Sequence, residues 1–181
     1  MKILSTRDLV LIALFAALTA VCSWISVPIL AVPFTLQTFA VELTLFCLGG
    51  KRGFLAILVY LMMGLIGIPV FAGFNGGAGY LLGPTGGYVL GFLVTALLWS
   101  LAENRIRGGR AVRLLWMAAA LAGCYAVGTV WFWGFYGRSR GMNLWAVLQV
   151  CVVPFLIPDA AKLILAGLVS ERVQKAVFVL R

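Results

Sequence analysis

The sequence predicts an all-α integral membrane protein that forms a bundle of six transmembrane helices. Of its 181 residues, 64% are hydrophobic and only 10% are charged, a composition typical of membrane proteins. Residues 53–102 contain no charged side chain, and an uncharged stretch of that length belongs in lipid. The chain is long enough for about six spans of ~20 residues with short connections. We therefore expect residues 1–181 to form a single transmembrane domain.

Three spans are predicted in the first part of the chain. The first covers 9–27, and no small-residue cleavage site follows it, so we interpret it as a retained span rather than a signal peptide. The second covers 35–48 and is followed by a tight basic turn at 49–53. The third span covers 54–69.

Three further spans are predicted in the second part. The fourth covers 84–102, and a polar loop with four arginines follows at 103–113. The fifth covers 114–136 and ends in a cluster of aromatic residues, which is typical of a membrane interface. The last apolar segment, 143–169, is too long for one straight crossing and contains two prolines. Because proline interrupts helical hydrogen bonding, we expect a kinked helix whose main crossing begins near Pro158.

Glycine is concentrated in one segment, 64–91, which holds ten of the 21 glycines. Backbone that leaves a helix inside a membrane protein must satisfy its N–H and C=O groups with protein, water or a ligand. Glycine also lets a ligand or a second helix approach closely. The segment therefore predicts either a cap and wall for a substrate site or an external loop with a small-residue packing face.

The basic residues predict the orientation of the chain. Eleven of the 14 lie at the termini and in the second and fourth loops, whereas only Arg138 and Arg140 lie in the other three loops, and Lys162 lies within a span. The positive-inside rule then places both termini in the cytoplasm. We accordingly interpret the net charge of +9 as a topology signal and a contact with anionic membrane lipid, and not as a nucleic-acid surface.

Three charged residues lie inside the predicted spans. Asp159 and Lys162 are three positions apart and share one helix face, and Glu42 lies in the second span. A charge at that depth costs at least ~2.5 kcal/mol on insertion scales, which makes each a functional candidate. Two structural alternatives are a neutralised Asp159–Lys162 pair that only ties spans together, and a Lys162–Glu42 pair.

Other polar residues share the predicted outer side with this pair. Asn75 offers both a donor and an acceptor within the glycine-rich segment, and Gln37 lies at the mouth of the second span. Tyr80 and Tyr88 add flat apolar surface with a hydroxyl group. Together these residues predict a site for a small, partly apolar, hydrogen-bonding solute that enters from outside.

Motifs of catalysis and metal binding are absent from the sequence. It contains no GxxxxGK[ST], HExxH or GxSxG pattern and no histidine, and its four cysteines lack metal-ligand spacing. We therefore expect no metal site, no cofactor and no ATP hydrolysis by this chain. Asp159 and Glu42 alone make a weak case for a membrane-embedded hydrolase.

Four alanines in the first span form two overlapping pairs of small residues, Ala13 with Ala17 and Ala16 with Ala20. Such spacing lets another helix approach closely. The spacing alone fits packing within this protein as well as an interface with a partner.

Three stretches of the sequence resemble the BioY family. They are VPFTLQTFAV at 32–41, GLIGIPVFAGFNGGAGYLLGPTGGYVLGF at 64–92 and PFLIPDAAKLILA at 154–166. BioY proteins are the substrate-binding S components of biotin transporters of the energy-coupling factor type. The resemblance extends over nearly the whole chain, and its GPTGGY and PDxxK blocks are specific to that family.

The resemblance implies a six-helix protein of a prokaryotic cytoplasmic membrane that captures biotin from outside. It also implies two kinds of partner, a transmembrane T component and two cytoplasmic ATPase subunits, and it favours the alanine face of the first span as the surface for the T component. By the family pattern, the residues that match biotin-bonding positions are Asn75, Asp159 and Lys162. Those that match lining positions are Gln37, Tyr88 and the small residues around Gly79.

Three other functions stay open at this point. The first is an S component for another vitamin, such as thiamine or riboflavin. The second is a membrane-embedded hydrolase that uses Asp159 or Glu42. The third is a non-catalytic scaffold subunit, which would bind no solute.

Overall fold

Helices make up most of the chain, as its long apolar stretches predict. A computed structural model describes residues 4–28 and 32–178. Lys2 and Arg181, two of the basic residues used to predict the orientation, lie outside the described residues, as do residues 29–31 of the first loop. The elements in chain order are α1 (Thr6–Trp24), β1 (Ser26–Val27), β2 (Phe34–Thr35), α2 (Gln37–Leu65), α3 (Ala78–Leu81), α4 (Gly86–Ala102), α5 (Arg110–Phe132), α6 (Leu144–Cys151) and α7 (Val153–Phe178).

Helix α1 begins at a capping box. The Ser5 hydroxyl accepts a hydrogen bond from the backbone N–H of Asp8, and the Asp8 carboxylate accepts one from the backbone N–H of Ser5, both at 3.2 Å. These contacts satisfy N–H groups that have no partner within the helix. Asp8 also forms an ion pair with Arg52, whose Nε lies 3.0 Å from Oδ1. The start of α1 is thereby tied to the middle of α2.

Helix α2 is a helical hairpin rather than one straight helix. Gly49 interrupts it with a φ of +77°, a conformation that favours glycine. The Gln37 side-chain amide donates to the Tyr60 hydroxyl at 2.5 Å, although these residues would be about 35 Å apart in a straight helix. The two limbs, 37–48 and 50–65, therefore run back along each other. The predicted turn is confirmed at Gly49, but it is shorter than expected because the second limb already begins at Gly50.

A short antiparallel ribbon leads from α1 to α2. Its register pairs Ser26 with Thr35 and Val27 with Phe34. The predicted spans 9–27 and 35–48 had included Ser26, Val27 and Thr35, because two-residue strands leave no periodic pattern to detect. The ribbon lies at the same end of the bundle as the C-terminus of α1.

The glycine-rich segment closes that end of the bundle. After α2 it forms a 3₁₀ turn at Ala72–Phe74 and then the single-turn helix α3. The indole N–H of Trp24 donates to the Pro69 carbonyl at 2.8 Å, and the Ser23 hydroxyl donates to the Val70 carbonyl. These bonds anchor the segment to the end of α1 and give two of its backbone carbonyls a protein partner.

Helices α4 and α5 approach each other closely through glycines. A Cβ added at Gly87 would lie 2.2 Å from the Cβ of Trp131, and one added at Gly128 would lie 2.1 Å from Cδ1 of Tyr88. Real Cβ atoms do not approach neighbours that closely, so each glycine is required by the packing. The small-residue packing interpretation is thus confirmed at Gly87, which belongs to the glycine-rich segment.

The last apolar segment breaks at a different place from the one expected. Helix α6 ends at Cys151, and α7 begins at Val153, five residues before Pro158. Pro154 falls in the first turn of α7, where a proline N–H is not needed. Pro158 lies inside the helix, so the expectation that the main crossing begins near that residue is wrong. Helix α7 also continues to Phe178 rather than ending near residue 169.

Several helices are suited to crossing a membrane. In the described part of the chain, four helical stretches are long and apolar enough: Thr6–Trp24, Gln37–Leu65, Arg110–Arg140 and Val153–Ala176. Helix α4 is also apolar but shorter. The chain is therefore a mostly helical, multi-pass membrane protein. A count of six crossings requires that the two limbs of α2 are separate spans and that α4 is another.

Candidate functional site

A cavity of about 70 Å³ lies near the end of the bundle that carries the ribbon and the glycine-rich segment. Small-molecule sites typically measure ~300–1,000 Å³, so the cavity is narrow in this conformation. Most of its walls are apolar or aromatic, with a few polar groups on α2 and α7. The cavity is lined by Val32, Pro33, Thr35, Gln37, Thr38, Ala72, Tyr80, Thr85, Tyr88, Val89, Phe92, Leu121, Cys124, Tyr125, Cys151, Phe155, Asp159 and Lys162.

Asp159 is the main hydrogen-bond acceptor of the cavity. Its Oδ1 accepts from the Lys162 ammonium at 2.7 Å and from the Thr38 hydroxyl at 3.1 Å, and its Oδ2 accepts from the Tyr125 hydroxyl. The residue is 4% exposed. Three helices therefore converge on one carboxylate, because Thr38 lies on α2, Tyr125 on α5 and Asp159 on α7.

Lys162 is the cationic group of the same wall and is 6% exposed. Its Nζ donates to Asp159 and to the Thr38 hydroxyl, the latter at 3.1 Å, and lies 4.0 Å from the centre of the Phe34 ring. A buried ion pair is tolerated only when its geometry is good and further hydrogen bonds satisfy it. Thr38 supplies such a bond to both charges, since a hydroxyl donates and accepts at once. The arrangement presents an anionic acceptor and a cationic donor side by side.

The structure pairs Lys162 with Asp159 and not with Glu42. Among the described residues, Asp159 is the carboxylate within ion-pair distance of the Lys162 ammonium. Glu42 is fully buried one helical turn along α2 from Thr38, outside the lining of the cavity. The alternative of a Lys162–Glu42 pair is therefore wrong for this conformation.

Aromatic side chains form a second wall of the cavity. The Tyr80 ring stacks on Phe71 with ring centres 5.1 Å apart, and the Tyr88 hydroxyl lies 3.4 Å from the Thr129 hydroxyl. Burial raises the pKa of the Tyr80 phenol above its ordinary value, so this group is a neutral hydroxyl at physiological pH. Gln37 also lines the cavity, with its amide held by Tyr60. This wall offers flat apolar surface with a few neutral polar groups.

Two of the predicted site residues lie outside the cavity lining. The Asn75 side chain is exposed, and its Nδ2 donates to the backbone carbonyl of Ala72 at 2.8 Å. Gly79 is also exposed, and a Cβ added there would meet no atom within 4 Å. Both residues border the wall, because Ala72 and Tyr80 are lining residues. As site residues, Asn75 and Gly79 stay predictions.

The four alanines of α1 divide into two faces. Ala16 and Ala20 are 1% and 4% exposed because that face packs within the bundle. Ala13 and Ala17 are exposed on the neighbouring face, about 60° around the helix from Ala16 and Ala20. In this conformation Ala13 and Ala17 are therefore the small pair that another helix can reach.

Sequence reasoning missed three residues of the charged wall: Thr38, Tyr125 and Phe34. Thr38 follows Gln37 in the same motif, so its position near the site was a usable signal. Tyr125 is the one tyrosine within the otherwise apolar middle of α5, and such a residue needs a hydrogen-bond partner. No pattern in the sequence pointed to Phe34, because only the folding of the ribbon brings its ring next to Lys162.

A profile of the BioY family matches residues 1–178. The chain belongs to the BioY family. Relatives in the family span nearly the same length. The "Probable biotin transporter BioY" of Pyrococcus horikoshii is 40% identical over 171 residues, which cover 94% of this chain and 98% of the relative. The "Biotin transporter BioY" of Thermotoga maritima is 40% identical over 169 residues, 93% of this chain and 96% of the relative.

A solved structure has the same fold as this chain. It is the crystal structure of the S-component for biotin from an ECF-type ABC transporter. It superposes with a TM-score of 0.83 at 26% sequence identity, covering 93% of this chain and 91% of that one. The BioY membership predicted from the three sequence stretches is confirmed by these similarities.

Proposed function

We propose that this BioY chain binds biotin in the cavity beside Asp159 and Lys162 and acts as the substrate-binding subunit of an energy-coupling factor transporter. The observation that carries the proposal is the buried Asp159–Lys162 pair in the wall of an otherwise apolar cavity, in a chain whose relatives are named as biotin transporters. Such a subunit is a transport protein, not an enzyme.

The chemistry of biotin suits this wall. Biotin carries a ureido ring with two N–H donors and one carbonyl acceptor, an apolar sulfur-containing ring, and a carboxylate on a flexible chain. Asp159 supplies an acceptor for ureido N–H groups, and Lys162 supplies a donor for the ureido oxygen or the carboxylate. Tyr80 and Tyr88 supply apolar surface for the rings, and Gln37 adds an amide at the same cavity.

Competition binding tests which substrate the chain binds. Labelled biotin is titrated onto the purified chain in detergent, with excess unlabelled biotin, thiamine or riboflavin as competitors. We expect saturable binding that only biotin displaces. No saturable binding of labelled biotin, together with saturable binding of labelled thiamine or riboflavin in a parallel titration, would favour an S component for another vitamin. A folded chain that binds none of the three would contradict the proposal.

The proposed transmembrane arrangement has six crossings with both termini in the cytoplasm. Its support is the uneven distribution of basic residues in the sequence and the antiparallel limbs of α2, which allow two crossings from one hairpin. Fusions of alkaline phosphatase and of a fluorescent protein to each terminus test it. We expect fluorescence and no phosphatase activity at both ends, and phosphatase activity at either end would contradict the arrangement.

The proposed partners are a transmembrane T component and two cytoplasmic ATPase subunits in the cell membrane. The exposed Ala13–Ala17 face of α1 is the surface we propose for the T component, because small residues allow close helix approach. Ala13→Leu is expected to block assembly and uptake while the isolated chain still binds biotin. Ala119→Leu, the same substitution at an exposed alanine of α5, is the matched control. Normal assembly of Ala13→Leu would refute this surface.

A further inference from the structure

A groove of about 420 Å³ lies between the start of α5 and the last turns of α7, at the end of the bundle opposite the ribbon. One half of it is apolar and contains Leu165 and Leu168, which are 51% and 43% exposed. The other half is basic and contains Arg110, Arg172 and Lys175. None of these residues lines the proposed biotin cavity. The groove is therefore a separate surface feature that the proposed function does not use.

The position of the groove along α7 places it at a membrane boundary. Near the start of α7, Phe155 stacks on Phe34 of the ribbon, with ring centres 6.5 Å apart. Arg172 lies about 25 Å further along this membrane-crossing helix. The hydrocarbon core of a bilayer is ~30 Å thick, so Arg172 lies near the boundary opposite the ribbon. Leu165 lies about 10 Å deeper, in the hydrocarbon region.

The groove residues of α7 share one helix face. Leu165, Leu168 and Arg172 follow one another at spacings of three and four residues, and Lys175 comes three residues later. This is the periodicity of one side of an α-helix. The face therefore changes from apolar at hydrocarbon depth to basic at the membrane boundary. A phospholipid has the same order of groups, with an acyl chain below and a phosphate above.

The lining of the groove carries an excess of positive charge. Its carboxylate, Glu171, accepts two hydrogen bonds from the Arg110 guanidinium, and the one from Nε to Oε1 measures 2.6 Å. Glu171 also attracts Lys175 electrostatically. Within the described residues, neither Lys175 nor Arg172 forms an ion pair. Three cations and one carboxylate leave a net charge of +2 on the lining, which suits a negatively charged phosphate.

We propose that this groove binds an anionic phospholipid. Its phosphate lies between Arg172 and Lys175, because a guanidinium can donate two parallel hydrogen bonds to phosphate and an ammonium adds a compact charge. One acyl chain lies along Leu165 and Leu168. The apolar half favours a lipid over a free phosphate ion or the acidic surface of a soluble protein, since neither of these would cover the two leucines.

Native mass spectrometry tests the site. The chain in neutral detergent is titrated with phosphatidylglycerol and, separately, with phosphatidylcholine that has the same acyl chains. We expect saturable binding of phosphatidylglycerol, weaker binding of the zwitterionic lipid, and no displacement of phosphatidylglycerol by excess inorganic phosphate. The double variant Arg172→Gln/Lys175→Gln is expected to raise the Kd for phosphatidylglycerol about thirtyfold, because each basic residue near an anionic lipid contributes a factor of about five.

Two control variants separate the groove from the general charge of the chain. Arg105→Gln/Arg107→Gln removes the same charge from exposed residues of the loop before α5, outside the groove. It is expected to leave the Kd for phosphatidylglycerol unchanged. Arg172→Lys/Lys175→Arg keeps both charges and is expected to retain most of the affinity. Thermal unfolding in detergent checks that each variant is folded.

Several outcomes would overturn the inference. They are equal affinity for the two lipids, equal weakening in the loop and groove variants, and displacement of phosphatidylglycerol by inorganic phosphate. Unchanged lipid affinity in Arg172→Gln/Lys175→Gln, together with loss of assembly with the T component, would assign the groove to a partner protein instead. The lipid titrations do not involve biotin, so their result is independent of the proposed substrate.

Discussion

Variants of the buried Asp159–Lys162 pair separate its contribution to stability from its contribution to biotin binding. In the variant Asp159→Asn, the Lys162 ammonium stays buried without its carboxylate. Removing one partner of a buried pair costs about 3–5 kcal/mol of unfolding free energy. A lost hydrogen bond to a charged group weakens binding by a further ~1.5–3 kcal/mol, or about 10–150-fold in Kd. Thermal unfolding in detergent and biotin titration measure the two effects on the same sample.

A second variant removes both charges at once. In Asp159→Asn/Lys162→Met, no buried ion is left alone, and replacing both partners of such a pair is often neutral or stabilising. We expect the free energy of unfolding of this variant to lie within about 1 kcal/mol of the wild-type value, while biotin binding stays lost. Tyr125→Phe is the matched control, because it removes one neutral donor to Asp159, leaves both charges paired and costs ~1.5–3 kcal/mol, the range for a hydrogen bond to a charged group. Wild-type affinity in the double variant would refute the role given to the pair.

Three further substitutions follow from the packing of the site. Gly128→Ala places a methyl group 2.1 Å from the Tyr88 ring, so we expect a loss of ~1–3 kcal/mol of stability and weaker biotin binding. Gly134→Ala, whose Cβ meets nothing within 4 Å, should change neither quantity. Gly49→Ala forces a non-glycine residue to φ +77° and ψ 175°, a region that is essentially limited to glycine, and should lower the free energy of unfolding by about 1–3 kcal/mol; a wild-type melting temperature would contradict the strained turn. Thr38→Val removes the hydroxyl that bonds both buried charges and should raise the Kd for biotin by about tenfold in a titration. An unchanged Kd would exclude that hydroxyl from the site.

The charged wall of the site could be predicted because charge is so rare in these spans. Asp159 and Lys162 stand out in an apolar sequence, and their i, i+3 spacing places them on one face of any helix. The hairpin turn at Gly49 was predictable for a similar reason, since glycine and basic residues interrupt an apolar run. These signals are local, and they do not depend on which helices pack together.

Features that depend on packing between distant segments could not be predicted. Tyr125 reaches Asp159 from 34 positions away, and nothing in the sequence near either residue encodes that contact. The start of α7 was misplaced because Pro154 and Pro158 are equally compatible with a helix start, and only the tertiary fold selects the earlier one. The division of the α1 alanines into a buried and an exposed face likewise depends on where α2 packs.

A structure of the chain with biotin bound tests the central claim most directly. We predict that the ureido ring lies within hydrogen-bond distance of Asp159, with the aromatic wall of Tyr80 and Tyr88 against its apolar ring. Biotin bound elsewhere, for instance at the exposed Asn75 and Gly79 without contact to Asp159 or Lys162, would contradict the account.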